Sequence, residues 1–134
     1  LLAVELFLTE DGQVLINEIA PRPHNSGHQT IEGNFVSQYD IHLRAILNWP
    51  LGDTSLRSAA AMINLLGEKG HEGKVHYQGL AEAIEMTGVY PHIYGKALTK
   101  PFRKMGHVSV VAETPEEALE KAQKTKEMIK VISK

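Results

Sequence analysis

The chain has 134 residues, of which 43% are hydrophobic and 22% charged, with a formal net charge of −2 and no cysteine. That is one domain, or a piece of a larger protein, with enough apolar residue to bury a core. The near-neutral balance gives no reason to expect nucleic acid. The lack of cysteine excludes disulfides and thiolate metal sites, and no apolar run approaches the roughly 18 residues of a membrane span. The composition fits a cytoplasmic protein with neither nucleic acid nor membrane as partner.

The first eight residues, LLAVELFL, begin without Met and already inside an apolar run. Chain termini are usually polar and frayed, so the sequence reads as a fragment. Residues 1–8 read as a buried strand, 9–12 (Thr-Glu-Asp-Gly) as a turn with a strong Asp-Gly hairpin signal, and 13–20 as the return strand. With Leu8 opposite Gln13, Glu5 falls opposite Ile16. Glu5 and Glu18 then become diagonal neighbours on one face, roughly 7–8 Å apart, which suits two carboxylates sharing a hard cation. A slip or bulge would separate them.

Pro21 and Pro23 end the strand because each lacks a backbone donor. Residues 24–27 read as loop and 29–35 as ambiguous, with a short helix possible. Ser37 and Asp40 form a capping-box pattern. Tyr39, Leu43, Ile46 and Leu47 then make one apolar stripe of a helix stopped by Pro50 and Gly52. The internal boundary falls near residue 50. Further on, 58–66 reads as a strand, 68–78 as loop, 79–86 as a short helix, 89–94 as a strand containing Pro91, and 107–113 as a strand. Thr114, Pro115 and Glu117 supply N-cap, N1 and N3 of a last helix whose inner face is Ala118, Ala122, Thr125 and Ile129. The class is α+β.

Three constellations could carry chemistry. Glu5 and Glu18 are carboxylates within apolar strands, costly to bury unless paired or metal-bound; the plain alternative is that each faces solvent. Residues 22–28 hold a guanidinium for carboxylate or phosphate (Arg22), an imidazole near neutral pK (His24), orienting polar groups (Asn25, Ser26) and a glycine that permits close backbone approach (Gly27). The alternative there is a solvated loop with Ser26 as a helix cap. Lys96, Lys100, Arg103 and Lys104 cluster in nine residues of an otherwise slightly acidic chain, suited to a phosphate-bearing ligand or simply a solvated basic loop. His42, His71, His76 and His92 are scattered and carry no assigned role.

The run LINEIAPRPHNSGH at residues 15–28 closely resembles the motif of the 5-(carboxyamino)imidazole ribonucleotide synthetases, the ATP-grasp ligases also called the ATPase subunit of phosphoribosylaminoimidazole carboxylase. The resemblance continues through Ser37-Gln38-Tyr39, His42-Leu43-Arg44, Tyr94-Gly95-Lys96, residues 103–107 and the final helix, and so spans most of the chain. The Asn-Glu step is common to many ATP-grasp enzymes, whereas His-Asn-Ser-Gly-His is specific. The related formate-dependent glycinamide ribonucleotide transformylases resemble it only through Pro-Arg-Pro-His, followed by Asp-Thr-Gly.

The resemblance implies ATP and Mg2+ as cofactors, with Glu5 and Glu18 as metal carboxylates and Asn17 and Glu18 at the ATP phosphates. It implies Arg22 and His24 in catalysis, and His24, Asn25 and Ser26 lining the place where bicarbonate and aminoimidazole ribonucleotide meet. Lys96 and Arg103 would hold the ribonucleotide phosphate. Residues 1–50 would be the end of an ATP-grasp domain (a hairpin plus helix) and 51–134 a small sheet-and-helix C-terminal domain. The implied partners are a missing N-terminal part of the same protein and a second copy in a homodimer, with the fragment alone inactive. Two other readings stand beside this one: another ATP-grasp ligase acting on a phosphorylated amine, and a non-catalytic ligand-binding or interaction module.

Overall fold

The computed structural model describes all of residues 1–134, as an α+β chain built on antiparallel sheets. It opens with the hairpin β1 (Ala3–Leu8) and β2 (Val14–Ala20). The connection differs from the expected four-residue turn. Thr9 N–H bonds Gln13 O (2.9 Å) and Gly12 N–H bonds Thr9 O (3.0 Å), with Gly12 at φ 84°. This is a three-residue loop, a type I turn closed by a left-handed residue that glycine adopts without strain. Leu8 therefore pairs with Val14, not Gln13.

A second departure compensates for the first. The register shifts between Glu5 and Leu6, so that Glu5 pairs with Glu18 while Leu6 pairs with Ile16. Asn17 is the extra residue of a bulge. The slip alone would have set Glu5 opposite Asn17. Slip and bulge together put the two glutamates directly opposite each other, closer than the diagonal arrangement expected. The hairpin is also not buried: Val4, Leu6, Phe7, Val14, Leu15 and Ile16 are all exposed, on both faces.

The motif loop then winds into a 3-10 turn, Asn25–Gln29, and α1 (Thr30–Gly33). His24, rather than Ser26, is the N-cap of that turn. The helix α2 (Gln38–Ile46) starts with the expected capping box between Ser37 and Asp40. It ends before Pro50. Asn48 sits at φ 54°, its N–H bonds Ala45 O (3.3 Å), and Trp49 N–H bonds Arg44 O (2.8 Å). This is a Schellman cap, with Asn in the left-handed position. The stripe Tyr39, Leu43, Ile46 and Leu47 faces outward.

The remainder is two three-stranded antiparallel sheets. One has the order β3 (Ala59–Leu66), β7 (Lys104–Ala112), β5 (Val89–Ile93), and the other β6 (Leu98–Thr99), β4 (Gly73–Gln78), β8 (Lys130–Ser133). Pro91 is tolerated because β5 is an edge strand. Residues 73–78 were expected to be loop. Their polar members alternate with Val75 and Tyr77, which pack on the core while Lys74 and Gln78 stay exposed. The last helix α4 (Pro115–Met128) carries the expected Thr114 capping box, and Ala118, Ala122 and Thr125 are buried on its inner face. It stops one residue short of the expected face. Ile129 is already extended, and the β-branched run after it forms β8.

The core lies between α4 and one face of the β3-β7-β5 sheet, around Leu65, Val89, Val108, Val110, Ala122, Ile129 and Val131. The opposite face carries Asn64, His107 and His92 side by side across the three strands. The 3-10 turn and α1 dock there. A short helix, α3 (Leu80–Ile84), covers one end.

Two substitutions check this packing by denaturant unfolding. Thr114→Ala removes the N-cap acceptor of α4 and is expected to cost about 1 kcal/mol. Ala122→Leu forces extra volume between helix and sheet and is expected to cost roughly 1–3 kcal/mol. A smaller loss for Ala122→Leu than for Thr114→Ala would contradict the close helix–sheet contact.

Candidate active site

The bulge gathers the first group. Asn17 donates its side-chain N–H to a Glu5 oxygen. Across the turn His24 Nε2 meets Glu18 Oε1 at 2.7 Å, and His24 Nδ1 lies 3.8 Å from Glu5 Oε2. One ligand atom from each of Glu5, Glu18 and His24 lies within 4.8 Å of the other two. Like charges directly opposite each other repel, so the paired glutamates favour a cation between them.

The protonation of His24 follows from its neighbours. Ser26 backbone N–H points at Nδ1 (3.4 Å), and the Ser26 hydroxyl lies at 2.9 Å. A backbone N–H can only donate, so Nδ1 carries the lone pair. The proton is then on Nε2 and is donated to Glu18. With that lone pair committed to Ser26, the oxygens of Glu5 and Glu18 are the atoms of this group that could hold a metal. An all-oxygen set fits a hard divalent cation such as Mg2+.

The His24 main chain is clamped by Gln38. His24 N–H donates to Gln38 Oε1 and Gln38 Nε2 donates to His24 O, both at 2.8 Å. A Cβ on Gly27 would sit 2.5 Å from Gln38 Oε1, so the clamp requires glycine there. Gln38 Nε2 also reaches His28 Nδ1 (3.1 Å), and the Tyr39 hydroxyl reaches the same nitrogen (2.8 Å). His28 Nδ1 is therefore an acceptor as well.

These residues form one side of a cleft of about 430 Å3. Glu18, Arg22, His24, Asn25, His28 and Tyr39 line it from one side, and Tyr94, Lys96 and Lys104 from the other. The motif loop and the basic cluster, some 70 residues apart in sequence, thus face one space. Lys96 and Asn25 stand in that lining. Arg103 does not; its Nη1 donates to Leu98 O (2.9 Å), and Lys104 occupies the equivalent wall. Ser26 supports His24 from behind. The cluster read as a loop in fact includes β6 and the start of β7, which fixes Lys104 on a strand.

Sequence reasoning gave no role to the group beneath the cleft. The ring of His107 stacks between His28 (centroids 4.4 Å apart, planes 22° apart) and His92 (4.5 Å, 12°). His107 Nδ1 is 2.9 Å from the Tyr94 hydroxyl, and His92 Nε2 is 2.8 Å from Glu32 Oε1. His107 is 3% exposed. Burial, then the neighbouring His28 and His92, pushes its pKa from 6.5 to about 4. Burial, then Lys104, also lowers that of His28. His107 and Ser109 alternate with Val108 and Val110 along β7, and all four are buried. Both faces are covered, and that is why the histidines matter.

The hairpin, the bulged carboxylates and the start of the capped helix lie in a stretch similar to ATP-grasp domains. An ATP-grasp family model matches residues 1–39, and the phosphoribosylaminoimidazole carboxylase C-terminal domain matches residues 60–121. The chain is 44% identical over 127 residues to the N5-carboxyaminoimidazole ribonucleotide synthase of Aquifex aeolicus, covering 95% of itself and 33% of that protein. It superimposes on the crystal structure of the Thermotoga maritima synthetase with a TM-score of 0.95 at 53% identity, covering 99% of itself and 37% of that chain. An Aspergillus clavatus synthase solved in complex with ADP and 5-aminoimidazole ribonucleotide matches with a TM-score of 0.82 at 39% identity, over 95% of this chain and 34% of that one. The chain belongs to the N5-carboxyaminoimidazole ribonucleotide synthetase family, and spans about a third of the length of the relatives it matches.

The depressed His107 pKa makes stability depend on pH. Above 6.5 the ring is neutral in folded and unfolded chains alike. Between 6.5 and about 4 the unfolded chain takes up the proton and the folded chain does not. Stability should therefore fall by on the order of 2–3 kcal/mol as pH drops through that window, then level off. His28 adds a slope of the same sign. Unfolding of the wild type and His107→Phe at several pH values checks this. The variant should lose most of the slope, and parallel curves would refute the assignment.

Proposed function

We propose that this chain supplies part of the active site of a ligase that carboxylates aminoimidazole ribonucleotide at the expense of ATP, in purine biosynthesis. The observation that carries it is one cleft that brings a polar loop against a lysine-bearing wall and reaches, at Glu18, the paired carboxylates of Glu5 and Glu18. The relatives' identity as synthetases, and the Aspergillus clavatus complex with ADP and the ribonucleotide, support this reading. The family-model matches, which end at residue 39 and begin again at 60, support a boundary near residue 50 between the end of the ATP-grasp domain and a small C-terminal domain. The apolar hairpin, open on both faces, fits a larger ATP-grasp lobe that would cover it.

In the full-length enzyme bicarbonate attacks the γ-phosphate of ATP, releasing ADP and forming carboxyphosphate. The exocyclic amine of the ribonucleotide then takes the activated carboxyl, releasing phosphate. Glu5 and Glu18 would hold Mg2+, which would supply positive charge at the ATP phosphates. Asn17 donates to Glu5 and so orients its carboxylate. Arg22, on the cleft wall, offers a planar donor fork to the anion developing on carboxyphosphate. His24, with Nε2 on Glu18 and Nδ1 on Ser26, holds the Glu18 carboxylate in a fixed orientation at the cleft wall. Asn25 gives donors and acceptors to the bicarbonate or imidazole. Lys96 faces the cleft and fits the ribonucleotide phosphate, with Arg103 bracing the adjoining backbone at Leu98. We place the enzyme in the cytoplasm, as a homodimer.

In the full-length enzyme, Glu18→Gln should abolish most ribonucleotide-dependent ADP formation; near wild-type turnover would remove Glu18 from the metal site. Lys96→Met should raise the KM for the ribonucleotide by at least about tenfold, the scale of one lost charge-assisted contact. Arg103→Ala should raise it less, because that side chain does not line the cleft. The reverse order would place the phosphate on Arg103.

A further inference from the structure

Both walls of the cleft lean on the same buried ring. On the motif-loop side, His107 stacks on His28, whose Nδ1 accepts from Tyr39 and from the Gln38 amide that clamps the His24 backbone. On the basic side, His107 Nδ1 bonds the Tyr94 hydroxyl. The Tyr94 ring in turn carries the Lys96 ammonium, 5.6 Å from its centroid, and Lys96 Nζ is also held by Lys104 O (2.5 Å). Behind His107, His92 stacks on its other face and is tied to Glu32 of α1.

We propose that His107 is a positioning residue for the ribonucleotide cleft, setting His28 and, through Tyr94, the ammonium of Lys96 in a fixed relation. It touches no substrate. Its contribution is to remove freedom from side chains that would otherwise have to be ordered on binding, which costs affinity. A flat ring is needed to fit between His28 and His92, and a nitrogen is needed on the edge facing Tyr94. Phe meets the first requirement and fails the second. The inference rests on the ribonucleotide reading of the cleft given above.

The test is made in the full-length enzyme, with ribonucleotide-dependent ADP formation as the assay. His107→Phe keeps the stack and removes the hydrogen bond. Tyr94→Phe removes the same bond from a partly exposed position and stays folded even if His107→Phe does not. Each is expected to raise the KM for the ribonucleotide about three- to tenfold, the worth of one hydrogen bond, with kcat within about twofold. The double variant should be no worse than the stronger single, because both remove one interaction. Unchanged KM in the folded variants, a loss confined to kcat, or multiplying effects in the double variant would overturn the proposal while leaving the enzyme's reaction intact. A wild type without ribonucleotide-dependent turnover would overturn both.

Discussion

The site depends on how the motif loop is held against the rest of the chain. It docks through stacked imidazoles onto the polar face of the β3-β7-β5 sheet, with α4 and the apolar core on the other face. A conventional apolar joint would bury more hydrophobic area. This one buries polar groups that must each be satisfied or stay neutral. His107 stays neutral because charging it between His28 and His92, away from water, is unfavourable. The reward is directionality. Stacked rings and hydrogen bonds fix orientation more tightly than aliphatic contacts do, and the side chains fixed are those that line the cleft.

A second constraint acts at the bulge. Antiparallel pairing sets two carboxylates against each other, which is unfavourable in isolation. Asn17, extruded by the same bulge, donates to Glu5, and His24 donates to Glu18. Each glutamate thus has a donor beside it that reduces the repulsion between the two. That leaves a net negative, oxygen-rich site, the electrostatic character that a divalent cation requires. The loop stays in reach because Gln38, at the first turn of α2, grips the His24 backbone from both ends of its amide. The capping box at Ser37 fixes where α2 starts, and therefore where Gln38 points.

Much of this was legible in the residues. The capping boxes at Ser37 and Thr114 and the inner face Ala118, Ala122 and Thr125 follow local rules, and they stand as expected. The density of polar groups at 22–28 and the basic cluster at 96–104 flagged the two walls separately. The register of the hairpin was not legible, because the three-residue turn and the bulge at Asn17 depend on backbone conformations that Asp-Gly permits but does not impose. The exposure of the hairpin and of the α2 stripe was not legible either, since periodicity reports which face is apolar and not what covers it. β8 was hidden because Ile129 suits a helix face and a strand equally well. The histidine stack was missed for a topological reason: His28, His92 and His107 come from three separate elements, and only tertiary pairing brings them together.

The central claim is that the motif loop and the basic segment form one binding cleft for the ribonucleotide. Hydrogen–deuterium exchange of the full-length enzyme, with and without aminoimidazole ribonucleotide and in the presence of an ATP analogue, tests it most directly. The account predicts that ribonucleotide slows exchange in peptides covering residues 21–29 and 94–104 together. Protection of only one of these segments, or of neither, would contradict it.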